Sequence, residues 1–202
     1  MPSYPSSWIK FIRAWARSPK SVGAIFETGP VASGLLADGA DVQSAERLVL
    51  EVGAGTGSVT QEILPRLKDD SVTLMSIERD PELAMTMRHR FPAGSGVQVV
   101  TGDAIDIKRL LHERGLPQAD SVVTAIPWTM LSFSQQAEML LALRDVMASG
   151  TRLSAICYMS AVCTPGFWFF GRNLMKHFDD IAVEGPVLKN MPPCFIVSAR
   201  KR

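Results

Sequence analysis

The chain has little of what marks secreted, metal-bound or strongly charged proteins. Among 202 residues there are three cysteines, three histidines and two tyrosines. Cys157, Cys163 and Cys194 form neither a paired framework nor a metal-ligand spacing, which reads as reduced thiols in a cytosolic protein. No metal is therefore expected. A surplus of one charge is also missing: 21 basic and 20 acidic side chains leave a net +1, so no nucleic-acid partner is expected. No apolar run reaches the roughly 18 residues of a membrane span. The start lacks the continuous apolar core of a secretory signal. Repeats, low-complexity tracts and long linkers are absent as well. What remains is an ordinary globular composition, 47% hydrophobic and 20% charged, with length for one domain and a sizeable core. A cytoplasmic location is expected.

What is present is unevenly placed. Residues 1–26 hold Lys10, Arg13, Arg17 and Lys20 and no acid, so this arm carries +4 and the remainder −3. Trp8, Phe11, Ile12 and Trp15 recur at i, i+3, i+4 and i+7, one apolar face of a helix. Ser6 or Ser7 can cap its start, and Pro19 stops it. Lys10, Arg13 and Arg17 fall largely on other faces, giving a basic amphipathic helix with tryptophans. That composition suits an anionic bilayer interface, where each basic residue contributes about 1 kcal/mol. The same stripe also suits a helix packed on the body of the protein. Residues 1–44 are read as this arm and a lid, and 45–202 as the main domain.

Beyond the arm, short apolar runs alternate with helical patterns. Strands are expected at 48–50, 72–77, 97–100, 121–126 and 153–158, and helices near 57–68, 81–90, 105–114 and 132–148, the last capped by Ser132. That rhythm implies a parallel α/β sheet with helices on both faces. The ending breaks it: 181–183 and 195–197 flank Asn190-Met191-Pro192-Pro193, which predicts an antiparallel hairpin closing the sheet.

The strongest motif is Glu51-Val52-Gly53-Ala54-Gly55-Thr56-Gly57, directly after the first strand. Its glycines let the chain turn sharply and bring bare backbone against a ligand at the carboxyl end of a strand. The spacing Gly-x-Gly-x-Gly differs from the dinucleotide fingerprint. Glu51 would repel a pyrophosphate, but it favours the cationic amino-acid part of S-adenosylmethionine. Glu78, ending the second strand, can accept from both ribose hydroxyls, and Asp103, after the third, from the adenine amino group. With these acids the chain resembles the class I S-adenosylmethionine-dependent methyltransferases. The resemblance implies a Rossmann-like seven-stranded sheet with an antiparallel last strand, and S-adenosylhomocysteine as product. Its implied cofactor contacts are Glu51, Gly53, Ala54, Gly55, Gly57, Glu78, Arg79, Asp103, Ala104 and Ala125.

The fourth strand runs into Ala125-Ile126-Pro127-Trp128, similar to the Asn-Leu-Pro-Tyr of ribosomal RNA adenine dimethylases, with Ala125 where the asparagine would stand. A fuller resemblance is to the bacterial phospholipid N-methyltransferases. It rests on Phe11-Ile12-Arg13-Ala14-Trp15, Ser18–Ile25, the glycine loop, Ile126-Pro127, Tyr158 and Lys189–Pro193. It implies a peripheral enzyme of the cytoplasmic membrane that methylates a lipid headgroup amine, phosphatidylethanolamine towards phosphatidylcholine. Ornithine-lipid amines and ribosomal RNA adenine remain as alternative acceptors. Ile126, Trp128 and Tyr158 are the expected catalytic residues. Trp128 would offer an aromatic face to an ammonium, and Tyr158 is a secondary candidate for proton acceptor. Phe167-Trp168-Phe169-Phe170 cannot all face one core, so Phe167 and Trp168, with Arg172 for a phosphate, join the arm as expected lipid contacts.

Overall fold

The computed structural model describes residues 27–202. The expected amphipathic helix, with Trp8, Lys10, Phe11, Ile12, Arg13, Trp15 and Arg17, lies outside the described residues.

Strand β1, Leu48–Val52, is buried along its whole length because parallel β2 (Thr73–Glu78) and β4 (Ala119–Thr124) flank it on both sides. Its apolar run, interrupted by Glu51 alone, suits a strand covered on both faces. Among the described residues, seven strands form one sheet in the order β3-β2-β1-β4-β5-β7-β6. The remaining strands are β3 (Val97–Thr101), β5 (Met147–Tyr158), β6 (Phe178–Val187) and β7 (Cys194–Lys201). Only β7 runs antiparallel, paired with β5 on one side and β6 on the other. The expected seven-stranded architecture with its antiparallel last strand is the one observed.

Alternation along β1 separates two cores. Leu48, Leu50 and Val52 join Met75, Ile77, Val122, Trp128, Leu140 and Phe170 on one face. Val49 joins Leu36, Ile63, Leu74, Val123 and Ile196 on the other. The first face is covered by α4 (Ile107–His112), α5 (Phe133–Val146) and α6 (Pro165–His177). The second is covered by α1 (Pro30–Gly39) and α2 (Ser58–Ile63), and α3 is Pro81–Arg90. Ala32, Leu36 and Ala37 of α1 are fully buried in that second core. The boundary expected at residue 44 is thereby corrected: α1 belongs to the sheet domain rather than to a lid.

Local chemistry accounts for the best-placed helices. Asp80 accepts from the Glu82 amide at 2.9 Å and Pro81 follows, so α3 starts where predicted. Ser132 and Gln135 form a reciprocal capping box that starts α5. The fourth strand stops at Thr124 instead of reaching Ile126. The Ala125 amide donates to Val52 O at 3.0 Å, and the Trp128 amide donates back to Ile126 O at 2.9 Å, which turns the chain.

Candidate functional site

Strand direction gathers the expected acids at one end of the sheet. Glu51 lies in β1, Glu78 ends β2 and Asp103 follows β3, all at carboxyl ends, where open α/β sheets bind ligands. The loop after β1 uses its glycines differently. Gly53, Gly55 and Gly57 have φ of 78°, 57° and 90°, a region that strains other residues. A methyl on Gly53 would come within 2.6 Å of Ile126 Cγ2, and one on Gly57 within 2.5 Å of the Phe91 ring. A methyl on Gly55 would meet nothing within 4 Å, so Gly55 presents bare backbone to open space. Such a cradle admits a closely held ligand.

Glu78 is fixed beside that cradle. Its Oε2 accepts from the Gly55 amide at 2.8 Å and its Oε1 from the Asp80 amide at 2.9 Å. A carboxylate offers about four acceptor positions, so two amide bonds orient it and leave capacity for hydroxyls. Asp103 accepts from the Ile105 amide at 3.2 Å, and its Oδ2 lies 4.0 Å from Arg79 Nη1. Arg79 itself is mostly exposed, and Ala104 is buried behind Asp103.

Glu51 is fully buried. Its Oε2 accepts from Thr60 Oγ1 at 2.6 Å and from Ser76 Oγ at 2.5 Å, while Oε1 has no partner among the described residues. Burial pushes its pKa up to about 7, against the opposing pull of those two hydroxyls. A half-satisfied buried carboxylate is a strong acceptor for a cation, and with the Gly55 cradle it fits the amino-acid end of S-adenosylmethionine. The sequence reading missed Thr60 and Ser76. The signal was in part available: Ser76 is a polar residue between the apolar Met75 and Ile77, and in the sheet it pairs in register with Glu51.

The acceptor loop is only partly as expected. Ile126 packs against the glycine turn through Gly53, and Ala125 joins the loop to β1, so both border the site. Trp128 does not. Its ring is 0% exposed, stacks on Phe170 at 4.8 Å and donates from Nε1 to Thr124 Oγ1 at 2.7 Å. The expectation of an open aromatic face is corrected, because burying an indole whose N–H is satisfied outweighs leaving it wet. Tyr158 ends β5 and is partly buried, and burial pushes its pKa up to about 12, which works against its losing a proton. The aromatic run is divided between the core and the surface. Phe170 enters the core, Phe169 stacks on Phe133 at 4.5 Å, Phe167 packs at the core's edge, and Trp168 is 63% exposed. Arg172 is exposed one turn further along α6.

Comparison with known proteins fits this geometry. The family profile described as ribosomal RNA adenine dimethylase matches residues 19–122, about half of the chain. An ornithine lipid N-methyltransferase of Singulisphaera acidiphila is 32% identical over 148 residues, 73% of this chain and 72% of that protein. A probable ribosomal RNA small subunit methyltransferase A of Methanosarcina mazei is 30% identical over 44% of this chain and 29% of its own length. In shape, the chain is similar to an O-methyltransferase of Bacillus cereus in complex with S-adenosylhomocysteine, at a TM-score of 0.69 and 15% identity, covering 100% and 93% of the two chains. The chain is an S-adenosylmethionine-dependent methyltransferase and belongs to the ribosomal RNA adenine dimethylase family.

Proposed function

We propose that this protein methylates the headgroup amine of a membrane lipid, with phosphatidylethanolamine and ornithine lipid as the two candidate acceptors. The observation that carries the reading is the match to a lipid N-methyltransferase over nearly three quarters of both chains. The Methanosarcina ribosomal RNA relative matches under half of this chain. The acceptor loop supports it. Ala125 brings no side-chain amide to hold an adenine amine, so the loop offers backbone and the Ile126 and Pro127 side chains.

S-adenosylmethionine, when bound, would supply a sulfonium methyl, to whose carbon a neutral amine bonds in line as the carbon–sulfur bond breaks and S-adenosylhomocysteine leaves. Everything else falls to this chain's residues. Gly53 to Gly57 give backbone contact, with Ala54 between them. Glu78 would hold the ribose, Asp103 with Arg79 and Ala104 the adenine, and Glu51 the ammonium of the amino-acid end. Ile126 and Pro127 set the distance of approach, and alignment of this kind supplies most of the acceleration in such transfers. An alkylammonium has a pKa of about 10, so the acceptor must lose a proton before attack. Tyr158, partly buried at the end of β5, would serve as a hydrogen-bond donor or a wall. The proton leaves to water.

The arm and Trp168 would hold the protein on the bilayer. No described helix is long and apolar enough to cross a membrane, which suits contact from one side.

The test is methyl incorporation from labelled S-adenosylmethionine into mixed liposomes, resolved by headgroup. Label on phosphatidylethanolamine or ornithine lipid products supports the reading and chooses between them. Label on ribosomal RNA and on neither lipid would overturn it in favour of the adenine reading that the family profile keeps open.

A further inference from the structure

The buried carboxyl group of Glu51 has an uneven surround. Alternation along β1 puts it on the same face as Val49, the face that α2 covers, and the parallel register sets it opposite Ser76 of β2. The glycine loop then turns the chain back, so that Thr60, in the first turn of α2, reaches the same carboxyl. Both hydroxyls donate to one oxygen, Oε2, from 2.5 Å for Ser76 and 2.6 Å for Thr60. Oε1 receives nothing from the described residues. Two donors on two different elements stop the carboxyl group from turning, which fixes the direction of Oε1 as well.

The charges nearby do not balance a carboxylate at this place. Glu78, ending β2, is a second acid whose field opposes ionisation of Glu51, and no Lys, Arg or His among the described residues acts on the group. The arginines of the neighbouring helices are turned elsewhere. Arg66, just after α2, holds Asp38 of α1 and Glu62 of α2, while Arg88 and Arg90 of α3 reach Thr101 Oγ1 and Gln61 Oε1. Glu82 and His89 of α3 are exposed. Burial disfavours the charged form of such a group, and hydrogen bonds to the carboxylate favour it. A cation arriving at Oε1 supplies the missing charge, and S-adenosylmethionine and S-adenosylhomocysteine both carry an ammonium on the amino-acid end.

We propose that cofactor binding is coupled to release of one proton from Glu51, and that Ser76 and Thr60 are positioning residues that set the pH at which this happens. Without the cofactor, burial holds the proton on Glu51 to higher pH than on an ordinary carboxyl. As the ammonium arrives at Oε1, the carboxyl O–H bond breaks and the proton leaves to water. The carboxylate that remains is paired with the ammonium and held at Oε2 by the two hydroxyls. The inference rests on the reading of Glu51 as the ammonium's acceptor and is independent of which amine is methylated.

Calorimetric titration of full-length protein with S-adenosylhomocysteine at about pH 6, in two buffers of different ionisation enthalpy, counts the protons released. The parent should release about one more than Glu51→Gln, whose amide has none to lose. Affinity measured from about pH 5.5 to 8 then tests the hydroxyls. Ser76→Ala should move the parent's profile to higher pH. Affinity at about pH 6 then falls roughly tenfold, while at the alkaline end it approaches the parent's, because the lost hydrogen bond served only the ionised form. Packing alone would lower affinity by the same factor at every pH. Should Ser76→Ala show no cooperative thermal unfolding, Thr60→Val carries the same test, and Thr60→Ser, which keeps the hydroxyl, should return the parent's profile. Equal proton release by parent and Glu51→Gln, with weaker binding by Glu51→Gln, overturns the coupling and leaves the ammonium reading standing. Equal affinity of those two at every pH overturns the ammonium reading itself. Hydroxyl variants whose affinity falls evenly across pH, or not at all, overturn the role of Ser76 and Thr60.

Discussion

The two ends of the sheet are built on opposite rules. At the amino end, where β1 and β4 begin, Asp120 accepts from the amides of Glu46, Arg47 and Leu48 and pairs with the Arg47 guanidinium at 3.2 Å. Nearby, Asp180 is shared by Arg152 and Arg200, and Asp179 pairs with Arg202. Charges there are matched and backbone donors are satisfied. At the carboxyl end, a buried carboxylate oxygen lacks a partner, and Leu188, Met191 and Trp168 stand in the open. The amino end closes the fold. The carboxyl end is left unfinished in ways that a cofactor would complete, and such departures from local rules concentrate at functional sites.

Substitutions can sharpen or break this contrast. The largest effect is expected from Trp128→Ala, which empties core space and strands the Thr124 hydroxyl. Thermal unfolding should record a loss of about 3–5 kcal/mol, with any fall in activity following the loss of fold. An enzyme that stays fully stable and merely turns over slowly would return Trp128 to the acceptor pocket.

Asp120→Ala comes next, leaving amides at the head of β1 without their acceptor. A cost of roughly 1–3 kcal/mol in urea unfolding is expected, with S-adenosylhomocysteine affinity unaltered. Burial alone would raise the Asp120 pKa, but the Leu48 and Arg47 amides and the Arg47 guanidinium hold it below the usual carboxylate range. Its contribution is therefore present at neutral pH and lost as pH falls through that depressed value. Weakened cofactor binding in this variant would blur the two ends into one.

Glu51→Gln probes the carboxyl end with little change of shape. The raised pKa means that the native state holds a proton the unfolded chain has released between about pH 4.5 and 7. Glu51 thus contributes most stability below its unfolded pKa of 4.5, and that contribution is lost as pH rises through about 7. Removing the titration should flatten this slope in unfolding measured across the window. Calorimetry should also show cofactor binding to the parent weakening below pH 7, where Glu51 is neutral, and binding to Glu51→Gln weaker but insensitive to pH. A parent affinity that ignores pH would remove Glu51 from the cofactor's charge.

The smallest effect is expected from Asp179→Ala, which breaks an exposed pair with Arg202. Such pairs contribute about 0–1 kcal/mol, screened by salt, and neither activity nor vesicle binding should follow.

Much of the site was readable because it rests on local chemistry. Gly-x-Gly-x-Gly after an apolar strand needs positive φ, and Glu78 and Asp103 end strands whose direction the alternating pattern implies. Helix α1 escaped notice because Pro30–Gly39 is rich in small residues and carries no clear apolar stripe; the sheet's second face, not its own periodicity, makes it a core helix. Trp128 was misplaced for a related reason. An aromatic after Ile-Pro suits a pocket wall and a buried stack equally, and only the arrival of Phe170 from α6 decides between them.

The sequence by itself determined the order of strands and helices, the glycine loop, the row of acids and the hairpin that closes the sheet. Each depends on neighbours within a few residues or on a short period. Only the tertiary structure decided that burial raises the Glu51 pKa, that Trp128 is core, and that the 188–191 turn is tied to the start of α1. Those properties arise from groups such as Ser76, Phe170 and Gly29, far apart in the chain, and burial and long-range contact have no signature in a local pattern.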